Sequence, residues 1–244
     1  MKKVIIIGAT SGIGEEIAKI YIAQGWQVGI AGRREEALTA LAATAPAQVK
    51  TQVIDVTSAD APEQLKSLIE KLGGMDLFLL SSGIGSQNVK LEPEIELNTA
   101  RTNVEGFIRM VTAAYRFFKE QGSGHLAVIS SVAGTKGLGS APAYSATKRF
   151  QNTYIDALAQ LARMERLSIQ FTDIRPGFVA TALLKNRKYP LLMRADSTAQ
   201  HIVQALTNKK RVAIIDTRYA MLVFFWQLIP RWVWERLPIR NDKS

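Results

Sequence analysis

Residues 4 to 14 read Val4-Ile5-Ile6-Ile7-Gly8-Ala9-Thr10-Ser11-Gly12-Ile13-Gly14. A short branched apolar run is followed by three glycines and then by helical periodicity over residues 13–23. The pattern spells strand, loop and helix. Each glycine has a physical use. Gly8 permits a tight turn, Gly12 lets the backbone approach a pyrophosphate, and Gly14 lets helix and strand pack closely. The helix N-terminus then faces the anion. Lys2 and Lys3 ahead of the run imitate a signal peptide, but the run stops at Gly8, so it reads as a buried strand.

The same alternation continues. Residues 28–31, 49–56, 77–80, 126–130, 169–174 and 212–215 read as further strands. Residues 35–43, 61–72, 104–118 and 143–163 read as helices, and Asp196 or Ser197 would cap one running to Asn208. Strands alternating with helices imply an α/β fold, a Rossmann-type doubly wound parallel sheet of about seven strands flanked by helices. We expect one dinucleotide-binding and catalytic domain over residues 1–217, with an apolar and basic extension over 218–244.

Composition removes several chemistries. The 244 residues include no cysteine, which excludes disulfides, thiolate nucleophiles and cysteine-held metals. His125 and His201 are the only histidines, too few for a histidine metal site, and no metal is expected. The net charge of +10 fits either a solvated basic surface or a face drawn to anionic ligands or lipids. No nucleic-acid recognition motif accompanies it, so no nucleic-acid partner is expected. The uncharged apolar run over residues 219–230 is shorter than the ~20 residues a bilayer span needs.

The second strand runs out in Ala31 and Gly32, then Arg33 and Arg34. An acidic residue there would hold a ribose 2′-hydroxyl, as for NAD. Two guanidinium groups suit a 2′-phosphate instead, unless they merely pair with Glu35 and Glu36. The expected cofactor is therefore NADPH/NADP+, with NADH/NAD+ as the lesser option. Asp55 would accept from an adenine amino group or cap a helix.

Tyr144-Ser145-Ala146-Thr147-Lys148 lies in a helical stretch, and positions i and i+4 share a face. A phenol with an ordinary pKa near 10 is a poor base at neutral pH, and a neighbouring ammonium favours its phenolate. Ser130 and Ser131 end the preceding strand, where open α/β sheets bind their ligands.

Together these pieces resemble the short-chain dehydrogenases/reductases. The matching motifs are the loop at residues 8–14, Asp55-Val56, and Asn103 in Thr102-Asn103-Val104-Glu105-Gly106. They continue with Ser131 in Ile129-Ser130-Ser131-Val132-Ala133-Gly134, Tyr144 with Lys148, and Arg175-Pro176-Gly177 with Thr181. They cover roughly residues 3–182, in the family's order and near its spacings.

The resemblance implies a catalytic set of Asn103, Ser131, Tyr144 and Lys148. Tyr144 would protonate a carbonyl oxygen or deprotonate an alcohol. Lys148 would bind the nicotinamide ribose and lower the Tyr144 pKa. Ser131, preferred over Ser130, would orient the substrate oxygen, and Asn103 would hold a water linking Lys148 to solvent. Pro176, Gly177, Val179 and Thr181 would lie along the nicotinamide. Thr10, Ser11, Ile13, Arg33, Ser82 and Gly83 would line the rest of the groove. One departure is Leu80-Ser81-Ser82-Gly83-Ile84-Gly85, where the family often has Asn-Asn-Ala-Gly, so hydroxyls replace amides.

Residues 182–194 read as a lid mixing leucines with Lys185, Arg187, Lys188 and Arg194, or as a plain solvated loop. The lid reading implies an apolar carbonyl or alcohol substrate carrying an anionic group. The extension crowds Met221, Phe224, Phe225, Trp226, Trp232 and Trp234 beside Arg218, Arg231, Arg236 and Arg240. It would pack on the domain, meet a partner subunit, or touch a membrane surface. The family implies a homodimer or homotetramer in the cytoplasm. A non-catalytic NADP(H)-binding subunit is the alternative in a different class.

Overall fold

The computed structural model describes residues 1–182, 184 and 189–239. The chain opens with β1 (Lys3–Ile7), whose side chains alternate between two cores. Val4 and Ile6 enter the core on one face of the sheet, Ile5 and Ile7 the core on the other. A strand covered on both faces has to be apolar throughout, which is why the run is continuous. After β1 come α1 (Gly12–Ala23), β2 (Gln27–Gly32), α2 (Glu35–Ala43), β3 (Val49–Val53), α3 (Ala61–Leu72) and β4 (Leu77–Leu80). The next elements are α4 (Pro93–Ala100), a π-helical segment (Arg101–Gly106), α5 (Phe107–Gln121) and β5 (Ser123–Ile129). A 3-10 turn (Val132–Thr135) leads to α6 (Pro142–Met164) and β6 (Ser168–Arg175). The chain closes with α7 (Ala195–Thr207), β7 (Val212–Ile214), α8 (Thr217–Leu228) and α9 (Arg231–Trp234).

The seven strands are all parallel and lie in the order β3-β2-β1-β4-β5-β6-β7. This is the doubly wound, Rossmann-type arrangement. The direction of winding reverses between β1 and β4, and such a reversal opens a ligand crevice at the carboxyl ends of the strands. One core lies between the sheet and α1, α2 and α7, the other between the sheet and α3, α5 and α6. On α5 the buried residues Phe107, Met110, Val111, Ala114, Tyr115 and Phe118 form one stripe at helical spacing.

Several boundaries differ from the sequence reading, and one helix is unexpected. β3 ends at Val53, opposite Gly32 at the end of β2, so residues 54–56 lie beyond it. Asp55 then opens a turn by accepting from the Thr57 amide at 2.9 Å. The helix expected over 104–118 starts earlier, because α4 and the π-helical segment precede α5 without a break. Residues 93–100 escaped detection because their exposed face is acidic and only Thr99 is buried. Helix α7 starts at Ala195 with Arg194 at the N-cap, so Asp196 stands inside the first turn and Ser197 caps nothing.

The chain after residue 217 continues the fold. Tyr219 and Val223 of α8 are buried in the first core, and Asp216 caps α8 by accepting from the Arg218 amide at 2.8 Å. Trp234 donates from its indole to the Gly137 carbonyl at 2.7 Å, and Lys136 donates to the Ile229 carbonyl at 2.8 Å. No helix among the described residues is long and apolar enough to cross a membrane.

Candidate active site

The glycine loop is tight in the places the sequence required. Gly8 has φ 91°, and the amides of Gly8 and Ala9 both donate to the Ala31 carbonyl, at 2.8 and 3.1 Å. A Cβ on Gly8 would stand 2.6 Å from the Ser82 amide nitrogen, and one on Gly14 would stand 2.3 Å from the Gly8 carbonyl oxygen. Neither position tolerates a side chain without moving backbone. Gly12, at φ 61°, faces Thr181 across the groove, 3.0 Å from its Cγ2 to a built Cβ. The loop therefore brings β1, the segment after β4 and the segment after β6 together. Ser11 is the N-cap of α1 but makes no side-chain cap bond, and Ile13 packs on the first core. The uncapped first-turn amides of α1 are the donors an anionic group would use.

At the end of β2, Gly32 packs against Thr10, with a built Cβ only 2.7 Å from Thr10 Cγ2. A carboxylate cannot be placed there without displacing Thr10. Arg34 donates to the Thr10 carbonyl at 2.7 Å and to its hydroxyl at 3.2 Å, and so braces the loop. Arg33 is exposed and makes no hydrogen bond or ion pair among the described residues, and neither arginine pairs with Glu35 or Glu36. Asp55 is held below the usual carboxylate range, first by the Thr57 amide, with Arg33 a smaller influence. Val56 is buried against Gly106 of the π-helical segment.

The catalytic candidates converge on the carboxyl ends of β4, β5 and β6. Ser131 follows β5 and caps the 3-10 turn, its hydroxyl accepting from the Ala133 amide at 3.1 Å and donating to the Pro176 carbonyl at 3.4 Å. Ser130 turns inward instead. Its hydroxyl bonds Asp173 of β6, and Asn152 of α6 donates to both, at 2.9 Å each. That places Ser131, not Ser130, at the groove.

Tyr144 and Lys148 share a face of α6. The Lys148 ammonium is buried, donates to the Ile129 carbonyl at 3.1 Å and lies 5.8 Å from the Tyr144 ring centre. Gly83 comes so close that a Cβ on it would stand 3.4 Å from Lys148 Nζ and 3.3 Å from Asn103 Oδ1. Gly85 packs on the Tyr144 ring itself, a contact with no advance signal in the sequence. Asn103, in the π-helical segment, donates to the Ile84 carbonyl at 2.7 Å and accepts from the Ile84 amide at 2.9 Å. It thereby fixes the strandless stretch after β4 in which hydroxyls replace the usual amides.

Burial governs the titration of the pair. It pushes the Tyr144 phenol above its ordinary value, while the Ser131 hydroxyl pulls it back. It also pushes the Lys148 ammonium down to about 8, against the attraction of Asp173. The resemblance implied a phenol lowered by Lys148. In the chain alone it is raised, because desolvation outweighs the pull of the Ser131 hydroxyl.

The segment after β6 forms the last wall. The Gly177 backbone lies against the Tyr219 ring, and the Tyr219 hydroxyl accepts from the Phe178 amide at 3.0 Å and donates to the Pro190 carbonyl at 3.1 Å. Val179 is buried and bridges to Met193, which closes the base of the expected lid. Leu183, Lys185, Arg187 and Lys188 of that lid, and Arg240 of the tail, lie outside the described residues.

Comparison with known proteins agrees with this arrangement. A family model described as short chain dehydrogenase matches residues 2–190. An uncharacterized oxidoreductase of Myxococcus xanthus is 35% identical over 193 residues, covering 77% of this chain and 76% of its own. One of Mycobacterium tuberculosis is 29% identical over 242 residues, covering 94% and 95%.

Among solved structures, a short chain dehydrogenase from Burkholderia cenocepacia in complex with NADP superposes with a TM-score of 0.84 at 18% identity, over 98% of this chain and 100% of its own. A serine dehydrogenase complexed with NADP+ gives 0.79 at 24%, over 87% and 94%. These likenesses support the fold. The chain belongs to the short chain dehydrogenase family. It is an oxidoreductase of the NAD(P)-dependent dehydrogenase/reductase type.

Proposed function

We propose that this protein is an NADPH-preferring carbonyl reductase that interconverts a ketone or aldehyde with an alcohol. The observation that carries the reading is the convergence of Ser131, Tyr144 and Lys148 beside a glycine loop in which Gly8 and Gly14 leave no room for a side chain. When bound, the nicotinamide dinucleotide supplies or accepts the hydride. Tyr144 gives its phenolic proton to the carbonyl oxygen in reduction and takes the alcohol proton in oxidation. Ser131, its hydroxyl anchored between Ala133 and Pro176, orients that oxygen. Lys148, while it is charged, would stabilise the phenolate left when Tyr144 gives up its proton to the substrate.

Three features support the cofactor preference. Arg33 is exposed and makes no hydrogen bond or ion pair among the described residues, a side chain at Gly32 would have to displace Thr10, and Arg34 braces the loop through Thr10. A 2′-phosphate would meet the exposed Arg33, with Arg34 one residue away and bonded to Thr10. The neighbours bound to NADP+ and NADP point the same way, although a 3-ketoacyl-(acyl-carrier-protein) reductase from Brucella melitensis is complexed with NADH.

The substrate side is apolar. Met193 bridges Val179, Leu184 bonds back to the Thr181 carbonyl, and α8 and α9 reach back over residues 136–137. This favours a bulky apolar carbonyl compound; Arg194, which the sequence offered for an anionic group, pairs with Asp196 at 2.6 Å and would have to leave it to meet a substrate anion. We expect a homo-oligomer through the long helices α5 and α6, as the family implies. The test of the reading is NADPH oxidation against small ketones, 3-oxoacyl thioesters, ketosteroids and long-chain ketones. Turnover on one class supports it, and silence across the panel with NADPH still bound counts against it.

A peripheral membrane contact is favoured by one further observation. Met221, Phe224, Phe225 and Leu228 form an outward stripe on α8, between 54 and 65% exposed, and Trp232 continues it. Arg218, Arg231 and Arg236 flank it along the chain, Arg218 and Arg231 paired with Asp216 and Glu235, and an anionic lipid surface suits such a segment better than a neutral one. Co-sedimentation with phosphatidylglycerol vesicles, lost in Phe224→Glu/Phe225→Glu, is the expected result. Recovery of the protein as a dimer that sheds neither subunit to vesicles would assign the stripe to a second copy instead.

A further inference from the structure

We infer that Gln151 is the positioning residue that fixes the Lys148 ammonium, by bridging it to the backbone carbonyl of Asn103. The inference rests on the catalytic reading of Tyr144 and Lys148 given above.

The geometry is specific. Gln151 lies one turn beyond Lys148 on α6 and is 1% exposed. Its Oε1 accepts from Lys148 Nζ at 3.1 Å, and its Nε2 donates to the Asn103 carbonyl at 2.9 Å. The amide can sit only one way round. Turned over, it would set an NH2 against an ammonium and an oxygen against a carbonyl oxygen.

The bridge connects three elements. Lys148 is on α6, its second acceptor, Ile129, ends β5, and Asn103 sits in the π-helical segment ahead of α5. Asn103 spends its side chain on Ile84, with a 3.2 Å contact to the Thr147 hydroxyl. Its carbonyl is what reaches toward α6, and Gln151 takes it. The resemblance has Asn103 hold a water that links Lys148 to solvent; Gln151 adds a direct side-chain link between the Asn103 carbonyl and Lys148.

Two consequences follow from the chemistry of a primary amide. It neither gains nor loses a proton in the range where Lys148 titrates, so Gln151 holds the ammonium without relaying protons. An ammonium has three N–H donors. Two are committed, to Ile129 and to Gln151, and one is left for the groove beside Gly83. The remaining donor is thus aimed by the other two.

The titratable groups that bear on Lys148 are Tyr144 on its own helix and Asp173 on β6, which favours the charged form. Gln151 is a third, uncharged acceptor that also favours the charged form. Replacing it with an apolar group leaves the ammonium with a lost charge-assisted bond in a buried site, and its pKa falls further.

The experiment follows the ε-carbon resonance of Lys148 with pH in full-length 13C-lysine-labelled protein, assigned through Lys148→Arg. Gln151→Leu should move the Lys148 titration down by about one pH unit. Gln151→Met, whose unbranched chain fills similar space, should do the same. Gln151→Glu, which keeps an acceptor and adds charge, should move it up. An unchanged Lys148 titration in folded Gln151→Leu or Gln151→Met would overturn the inference. Collapse of both would overturn it too, by making Gln151 a core tether. The readout needs no substrate, so a shift in Gln151→Leu together with full turnover in Tyr144→Phe would sink the catalytic reading and leave the Gln151 assignment standing.

Discussion

Lys148 holds its ammonium 5.8 Å from the centre of the Tyr144 ring, one helical turn further along α6. Burial acts on the two groups in opposite senses, raising the phenol and lowering the amine. Their ordinary values, 10.0 and 10.5, are thereby brought into reverse order, with Lys148 near 8. The amine titrates first, and this has a measurable consequence.

Between pH 7 and 10 Lys148 passes from charged to neutral, since its pKa is pushed down to about 8. A neutral amine makes a weaker bond to a ribose hydroxyl than an ammonium does. NADPH affinity should therefore fall by about fivefold as pH rises through this window. Arginine does not titrate here, so Lys148→Arg should bind NADPH more weakly but with a flat pH dependence. Fluorescence titration of NADPH at several pH values checks this, and parallel curves for the two proteins would contradict it.

Arg33 is exposed beside the end of β2, without a hydrogen bond or ion pair among the described residues, and a carboxylate in place of Gly32 would have to displace Thr10. Arg33→Ala should raise the Michaelis constant for NADPH roughly tenfold, the worth of one charge-assisted phosphate contact. The constant for NADH should hardly change. Equal losses for both cofactors would show that Arg33 supports the loop and does not read a 2′-phosphate.

His125 gives a stability prediction independent of catalysis. Its pKa is pushed from 6.5 down to about 4, first by burial and then by Lys209. Its ring meets the Thr172 hydroxyl at 2.8 Å. For a base with a depressed folded pKa, the folded state binds fewer protons than the unfolded one between the two values. Stability is thus full above pH 6.5 and falls as pH drops toward 4, by about 2–3 kcal/mol at the lower end. Urea unfolding at pH 7.5 and 4.5 should show this loss in the wild type and a smaller one in His125→Gln.

Much of this was readable in the sequence, for identifiable reasons. β1 and β4 are apolar without interruption because both of their faces are covered. Tyr144 and Lys148 were legible because four residues is one turn of a helix. What was not legible depended on partners far along the chain. Gln151 looked like an ordinary polar helix residue until Asn103, 48 positions away, supplied its second partner. Asp173, Ser130 and Asn152 form a buried cluster that exists only because β5, β6 and α6 meet. The apolar run after Arg218 read as an amphipathic segment. It is a helix with Tyr219 and Val223 buried on the domain, one of the placements expected for it, and Phe224 and Phe225 exposed on the other side. Periodicity cannot reveal which face is covered when both are apolar.

The central claim is that Tyr144 moves the proton. The measurement that tests it most directly is NADPH affinity and NADPH oxidation in Tyr144→Phe, side by side with the wild type on a carbonyl the wild type reduces. Phenylalanine keeps the ring that packs on Gly85 and removes only the hydroxyl. Cofactor affinity should stay within about twofold, while turnover falls by roughly 10²–10⁴, the usual range for loss of a general acid. Turnover persisting at near wild-type rate in Tyr144→Phe would contradict the account.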